Sequence, residues 1–249
     1  MEDHANLAAR WLAGAGSIVA LTGAGVSAES GIPTFRGEGG LWRTYRAEDL
    51  ATPSAFARDP ILVWEWYRYR QGICAAAAPN AAHAALARIE ERAPGFTLIT
   101  QNVDGLHRRA GSRNLVEVHG DIFRARCTVC GANRELTGAE EETIPACPGG
   151  HTMRPDIVWF GETLPENAIA KAHRASASAD LFLVIGTSAI VYPAASFPLI
   201  AKDRGARLVE VNPEETPLTP LADLSFRGKA AEILPLLVDR AFSRPVEDS

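Results

Sequence analysis

The stretch SIVALTGAGVSAESGIP, residues 17–33, decides the fold of this chain. Its first six residues form a short apolar run with β-branched members, a pattern typical of a buried strand. The next six, GAGVSA at 23–28, fit the pattern G-x-G-x-x-A. Glycines after a strand let the backbone approach a pyrophosphate, and the N-terminal amides of the next helix stabilise its charge. The motif alone is weak, because a tight strand–helix turn has the same pattern.

Similar apolar runs follow along the chain, at 96–100, 115–120, 179–188 and 206–212, with Ala-rich helical stretches such as 79–93 and 165–178 between them. This alternation predicts a Rossmann-like α/β fold, a parallel sheet with helices on both faces. Residues 37–80, which are aromatic and charged, and residues 124–155, which contain cysteines, glycines and prolines, interrupt the rhythm. We expect both to form a smaller inserted lobe, leaving 1–36, 81–123 and 156–249 for the Rossmann-like domain.

Composition excludes several classes of protein. The chain has 249 residues, 47% of them hydrophobic and 22% charged, as in ordinary globular proteins. The net charge of −5 argues against a general nucleic-acid binder, which is usually basic. No apolar run approaches the roughly 20 residues that span a bilayer, and the acidic start lacks the pattern of a signal peptide. We therefore expect a cytoplasmic protein with no membrane or nucleic-acid partner.

An ordinary dehydrogenase is a poor fit to the sequence after the glycine motif. That class places an acidic residue about 20 positions on, at the end of a second strand. Here GIPTFRGEGGLW intervenes, and the next convincing strand begins near Phe96.

Several separated blocks identify a family. They are GAGVSAESGIPTFRG at 23–37, TQNVDGLH at 100–107, the pair His119-Gly120, RPDIVWFGE at 154–162, GTS at 186–188 and the late Asn212. Together they resemble the sirtuins, the NAD-dependent protein-lysine deacylases, over residues 7–240. The resemblance implies the Rossmann-like fold, NAD as co-substrate and acylated lysine side chains of proteins as the substrate; we expect a monomer.

The resemblance also implies which residues contact NAD. They are Gly23, Ala24 and Gly25 at the diphosphate; Phe35 and Arg36 in a loop over the nicotinamide ribose; Gln101, Asn102, Val103 and Asp104 at the nicotinamide; Gly186, Thr187 and Ser188 at a strand end; Asn212 at the adenine ribose; and Gly228 and Lys229 beside the adenine.

His119 is the predicted general base, with Gln101 and Asn102 as further catalytic candidates. A lone histidine at a strand end is more often a structural hydrogen-bonding residue, but its place in this motif set favours catalysis. Histidine suits the role because its pKa lies near neutrality. By the resemblance, the acyl oxygen displaces nicotinamide from the ribose, His119 takes a proton from the ribose hydroxyls, and free lysine and O-acyl-ADP-ribose are released.

The segment that follows the block RPDI resembles the strand that pairs with the substrate backbone in this family. It comprises Val158, Trp159, Phe160, Gly161 and Glu162. Such pairing reads main chain more than sequence, so it predicts broad protein selectivity.

The resemblance further implies a structural zinc held by two cysteine pairs. Cys127 and Cys130 form the first pair, and Cys147 follows at a suitable spacing, but a fourth cysteine is missing. His151, four residues after Cys147, is the local candidate, and Cys₃His is an accepted zinc set. The alternative is a lost or weakened zinc site, with the lobe held by packing alone.

The acyl pocket is predicted from WEWYRYR at 64–70. It resembles the segment of class III sirtuins whose Tyr-x-x-Arg pair recognises succinyl and malonyl groups, and Tyr67 and Arg70 fall on those positions. Helical spacing points the two side chains to one face. Ala51 matches a small residue that leaves room for a longer acyl chain. Glutaryl is a further candidate acyl group. In the competing interpretation, Tyr67 and Arg70 belong to an ordinary amphipathic helix. In both interpretations we expect Trp64, Trp66 and Tyr69 to pack in the core.

Three other activities remain open from the sequence. The chain could be an acetyl-lysine deacetylase or general deacylase, or it could transfer mono-ADP-ribose from the same NAD site. A non-catalytic NAD sensor is a third reading, which the intact Gln101, Asn102, Asp104 and His119 disfavour.

Overall fold

The computed structural model describes residues 2–33, 47–136 and 144–242. The strands are β1 (Ile18–Thr22), β2 (Phe96–Thr100), β3 (Leu115–Glu117), β4 (Gly120–Cys127), β5 (Asn133–Glu135), β6 (Met153–Ile157), β7 (Leu181–Ile185), β8 (Arg207–Asn212) and β9 (Leu224–Arg227). The helices are α1 (Glu2–Gly14), α2 (Gly25–Ala28), α3 (Ala47–Leu50), α4 (Pro53–Arg58), α5 (Pro60–Ala76), α6 (Ala81–Arg92), α7 (Leu106–Arg109), α8 (Glu166–Ala177), α9 (Phe197–Asp203) and α10 (Ala230–Phe242).

The larger sheet confirms the predicted Rossmann-like fold. Its parallel strands follow the order β3-β2-β1-β7-β8-β9. Every residue of β1 and β7 is buried, because helices cover both faces of the sheet. Strand order reverses beside β1, whose neighbours are β2 and β7, and such a switch point opens a ligand crevice at the carboxyl ends of the strands.

Helices α1, α6 and α10 pack on one face of this sheet, and α8 and α9 pack on the other. Each face has its own hydrophobic cluster, with Leu86 and Leu234 in the first and Phe182 and Phe197 in the second. The strand tips are therefore held by two packed layers, which fix the loops that follow them.

A smaller lobe joins α4 and α5 to an antiparallel sheet of order β5-β4-β6. Its hydrophobic cluster contains Trp64 and Tyr67 from α5 together with Met153 and Trp159 from the region of β6. The two segments that interrupt the strand–helix rhythm thus share one core.

Three local predictions were wrong. The run 115–120 is two strands, because Gly120 has a φ of +84° and turns the chain from β3 into the second sheet. The segment 158–162 lies beyond the end of β6 and is not a strand here, since the Phe160 N–H donates to the Ala51 carbonyl and the Glu162 N–H donates to the Trp159 carbonyl. Its pairing with the substrate backbone stays a prediction. Tyr69 is 62% exposed, because it faces outward on α5.

Within the described ranges, no helix combines the length and hydrophobicity needed to cross a bilayer.

Candidate active site

Three loops meet at the carboxyl ends of β1, β2 and β7. The Gly23 N–H donates to the Ile185 carbonyl at 3.1 Å, and the Gly25 N–H donates to the Gly186 carbonyl at 2.8 Å. A Cβ on Gly25 would lie 2.8 Å from Gly186 Cα, which is closer than real Cβ contacts allow. The glycines are thus required for close backbone packing, and the turn at the switch point carries no side chain larger than the Ala24 methyl.

Gln101, the first residue after β2, connects this turn to the loop after β7. Its Nε2 donates to Thr187 Oγ1 at 2.9 Å, and its backbone N–H donates to the Thr22 carbonyl at 3.0 Å. Thr187 is buried, whereas the following Ser188 is exposed. The predicted nicotinamide and diphosphate residues therefore form one continuous wall.

Asn102 and Asp104 are buried and hydrogen-bonded behind this wall. Asn102 Nδ2 donates to the Gly23 carbonyl at 3.0 Å and to Ser27 Oγ at 3.2 Å, and Ser27 Oγ donates to Asp104 Oδ2 at 2.7 Å. Burial raises the pKa of Asp104, against the opposing effect of hydrogen bonds from the Leu106 N–H and from Ser27. The loop after β2 is consequently fixed to the glycine loop. Val103 lies between Asn102 and Asp104 in the chain, and its carbonyl accepts from the Ile122 N–H of β4 at 2.9 Å.

Two histidines extend the buried polar cluster. His83 Nε2 lies 3.4 Å from Ser27 Oγ, and His107 Nε2 lies 2.9 Å from Thr22 Oγ1. Their ring centroids are 4.8 Å apart. Burial lowers the pKa of His83 to about 4, and burial together with His83 lowers the pKa of His107 to about 3. Both rings are therefore neutral at pH 7.

His119 lies where the two sheets meet. Its Nδ1 is 2.9 Å from the Gln101 carbonyl oxygen, which can only accept, so Nδ1 carries the proton and Nε2 has a free lone pair. Burial lowers the pKa of His119, although the bond to Gln101 opposes the shift. A neutral imidazole with an unprotonated Nε2 is the form that a general base requires.

Asn212 is the last residue of β8, and Gly228 directly follows the neighbouring strand β9. The Gly228 N–H donates to the Asn212 carbonyl at 3.4 Å, and Asn212 Nδ2 donates to the Glu214 carbonyl at 2.9 Å. The exposed Lys229 ammonium lies 4.0 Å from Glu29 Oε1. The predicted adenine residues therefore lie at the same sheet edge as the glycine turn. Phe35 and Arg36, predicted to cover the nicotinamide ribose, fall outside the described residues.

The predicted acyl-pocket residues face the small-lobe core. Tyr67 is fully buried and Arg70 is 6% exposed. Arg70 Cζ lies 5.5 Å from the Tyr67 ring centroid and 4.7 Å from that of Trp66. Trp159 Nε1 donates to the Tyr67 hydroxyl oxygen at 2.8 Å. The helical spacing of Tyr67 and Arg70 thus brings a phenol and a guanidinium together beside the segment 158–162.

A profile of the Sir2 family matches residues 23–193, more than half of the chain. The chain belongs to the Sir2 (sirtuin) family. A relative from Aquifex aeolicus, named NAD-dependent protein deacylase, is 53% identical over 225 residues, which cover 90% of this chain and 94% of the relative. A relative of the same name from Thermococcus kodakarensis is 53% identical over 241 residues, with 94% of each chain covered.

Solved Sir2 structures have the same fold. A crystal structure of a Sir2 homologue in complex with NAD shares 51% sequence identity with a TM-score of 0.89, covering 94% of this chain and 92% of the other. The family predicted from the separated sequence blocks is therefore confirmed.

The small lobe of this Sir2 protein contains a possible zinc centre. Cys127, Cys130, Cys147 and His151 place their ligand atoms within 4.8 Å of one another. Cys130 Sγ lies 3.9 Å from Cys147 Sγ, and Cys147 Sγ lies 3.6 Å from His151 Nδ1. Zinc–sulfur bonds of about 2.3 Å in a tetrahedron separate two sulfurs by about 3.8 Å, so these spacings fit. The N–H groups of Cys130 and Val129 lower the pKa of Cys127 to about 6, which favours the thiolate form that binds metal.

Sequence reasoning missed the buried polar partners of the Sir2 site. Ser27 stands inside the quoted glycine block, so its place near the nucleotide loop gave a signal that was not used. His83 gave none, because it lies in an Ala-rich amphipathic helix far along the chain.

Proposed function

We infer that this Sir2 protein is an NAD-dependent protein-lysine deacylase, and we propose that it prefers acidic acyl groups such as succinyl, malonyl and glutaryl. The observation that carries the acyl preference is the buried pair Tyr67–Arg70 beside the segment 158–162. The glycine turn and the adjoining Gln101, Asn102 and Asp104 support the use of NAD.

The use of NAD in this proposal rests on relatives and on geometry. Close relatives are named NAD-dependent protein deacylases, and a Sir2 homologue has been solved with NAD. In this chain Gly23, Gly25 and Gly186 let backbones approach closely at a turn that would admit a diphosphate, and Gln101 and Asp104 border it. When bound, NAD supplies nicotinamide as the leaving group and ADP-ribose as the acyl acceptor.

The acid–base chemistry of the proposal rests on His119. Its Nδ1 proton is fixed by the Gln101 carbonyl, so Nε2 is ready to accept a proton from a ribose hydroxyl. Burial keeps the ring neutral in the physiological range. General-base catalysis of this kind contributes about 10²- to 10⁴-fold to the rate.

The proposed acyl preference rests on the hydrogen bonds that connect His119 to α5 through the segment 158–162. The Val158 N–H donates to the His119 carbonyl at 3.0 Å, and the next residue, Trp159, donates to Tyr67. Phe160, which is 54% exposed, donates its backbone N–H to the Ala51 carbonyl. A lysine bound along 158–162 with its acyl carbon near His119 would have its acyl end directed toward Tyr67 and Arg70.

A carboxylate at that acyl end would match the chemistry of the pair. Arginine remains charged at all working pH values and presents paired N–H donors, to which the Tyr67 hydroxyl adds one. Burial raises the pKa of Tyr67, so the hydroxyl stays protonated. A charge-assisted hydrogen bond contributes about 1.5–3 kcal/mol, or roughly 10- to 150-fold in kcat/KM. An acetyl group has no carboxylate to accept hydrogen bonds from this pair, so it gains nothing from them.

The test compares succinyl-, malonyl-, glutaryl- and acetyl-lysine versions of one peptide with saturating NAD. Arg70→Met should lower kcat/KM on the acidic acyl groups by about 10- to 100-fold while changing the acetyl rate far less. Arg68→Met is the matched control, because Arg68 lies on the same helix and contacts the Trp64 ring instead. Equal rates of the parent protein on succinyl and acetyl peptides would reject the acidic preference and support a general deacylase. Absence of nicotinamide release with every peptide would reject deacylation itself.

A further inference from the structure

The Tyr67 hydroxyl accepts a hydrogen bond that decides where its own proton can point. Trp159 lies 92 residues further along the chain, and its indole Nε1 donates to the Tyr67 oxygen at 2.8 Å in a buried setting. An indole N–H is a donor only, so the tyrosine oxygen must be the acceptor in this bond. The hydroxyl proton is then free to donate elsewhere.

The geometry of a phenol limits where that proton points. A phenolic O–H lies close to the ring plane and has two orientations, one on each side of the oxygen. The Trp159 N–H occupies one side, which leaves the other for the hydroxyl proton. Among residues 2–33, 47–136 and 144–242, the Tyr67 hydroxyl finds no acceptor for this proton, while Arg70 lies beside the same ring.

Trp159 itself is held by an ion pair. Arg154 donates from Nη1 and Nη2 to Glu162 at 2.5 and 2.9 Å, and its Cζ lies 3.2 Å above the Trp159 ring centroid. Glu162 Oε2 also accepts from the Trp159 backbone N–H at 2.8 Å. Arg154 is 6% exposed and Trp159 is 2% exposed. The indole is therefore fixed from its backbone and from one face.

We propose that Trp159 is a positioning residue for acyl selectivity: its indole N–H occupies one side of the Tyr67 oxygen and turns the hydroxyl proton toward the carboxylate of an acidic acyl group. This inference rests on the proposed acidic preference and assigns a cause to it. Without the indole N–H, the hydroxyl can rotate, and the fraction that donates to the carboxylate falls.

Trp64 provides a matched control in the same core. Its Nε1 donates to the Met153 carbonyl at 3.0 Å, so Trp64→Phe removes one buried indole hydrogen bond without touching Tyr67. Trp64→Phe should lower stability and keep the ratio of kcat/KM on succinyl to that on acetyl peptide.

The experiment measures that ratio in the wild type, Trp159→Phe, Tyr67→Phe, the double variant and Trp64→Phe. We expect Trp159→Phe to lower the ratio about 3- to 10-fold, mainly through KM on the succinyl peptide, since one hydrogen bond is weakened. In the Tyr67→Phe background the same substitution should change the ratio less than twofold, because the hydroxyl it orients is gone. If circular dichroism shows Trp159→Phe to be unfolded, Trp159→Met replaces it, because methionine adapts to an irregular core space and has no N–H or O–H donor.

Three results would overturn the inference. An unchanged ratio in Trp159→Phe would show that the indole N–H does not orient the hydroxyl. An equal loss in the Tyr67→Phe background would show that Trp159 acts independently of that hydroxyl. A wild-type ratio near one would remove the acidic preference and this inference together, and it is distinguishable from the first two, which leave the wild-type preference intact.

Discussion

His107 should make the folded protein less stable in mild acid. Its ring is buried, its Nε2 lies 2.9 Å from Thr22 Oγ1, and its Nδ1 has no hydrogen-bond partner among the described residues. Protonation would place a second N–H at Nδ1, where these residues offer it no acceptor. Burial, with a further effect of His83, accordingly lowers the pKa of His107 to about 3.

The sign and size of the effect follow from the two states. The unfolded histidine has a pKa of about 6.5, so it binds a proton in mild acid that the folded state does not bind. The contribution of His107 to stability is thus fully present above the unfolded pKa and is lost as the pH falls toward the folded pKa. From pH 7 to pH 5.5 the protonated fraction in the unfolded chain rises from roughly a quarter to nine-tenths, which costs about 1.2 kcal/mol.

Urea unfolding at pH 7 and pH 5.5, followed by circular dichroism, measures this loss. In His107→Gln the amide can still donate to Thr22 but does not titrate, so this variant should lose about 1.2 kcal/mol less than the wild type over that interval. His173→Gln is the control, because His173 is exposed on α8, and it should behave as the wild type does. A loss in His107→Gln equal to that of the wild type would refute the reasoning.

Further predictions concern the general base, one glycine and the metal cluster. His119→Asn should lower kcat by at least about 100-fold with an unchanged circular dichroism spectrum. The midpoint of the acid limb in the wild-type pH–rate profile should lie below about pH 6.5, because burial lowers the pKa of His119. A midpoint above that value would contradict the assignment of His119 as the general base. Gly120→Ala should cost at least about 2 kcal/mol in urea unfolding, because its Cβ would lie 1.9 Å from a backbone oxygen, whereas Gly14→Ala has nothing within 4 Å and serves as control. Protein purified without chelator should contain about one zinc per chain, and His151→Ala should lose most of it on dialysis; a zinc-free wild type would reject the Cys₃His site.

Much of the fold was predictable because its signals are local. The strands β1 and β7 are continuous apolar runs, since both faces of a parallel sheet are buried, and the glycine turn after β1 follows directly. The helix carrying Tyr67 and Arg70 was predictable in the same way, because a spacing of three places both on one face.

The sequence by itself determined these local elements, the family and the residues of the family motifs. Tertiary structure decided which polar groups meet across long stretches of chain. The break between β3 and β4 depends on the close approach of Gly120 to the Asp156 backbone, and the bond from Trp159 to Tyr67 joins residues 92 apart. Hydrogen bonds and burial depend on distances that packing sets. Apolar periodicity indicates which face of a helix or strand is buried, but it does not indicate which residues of other elements contact that face.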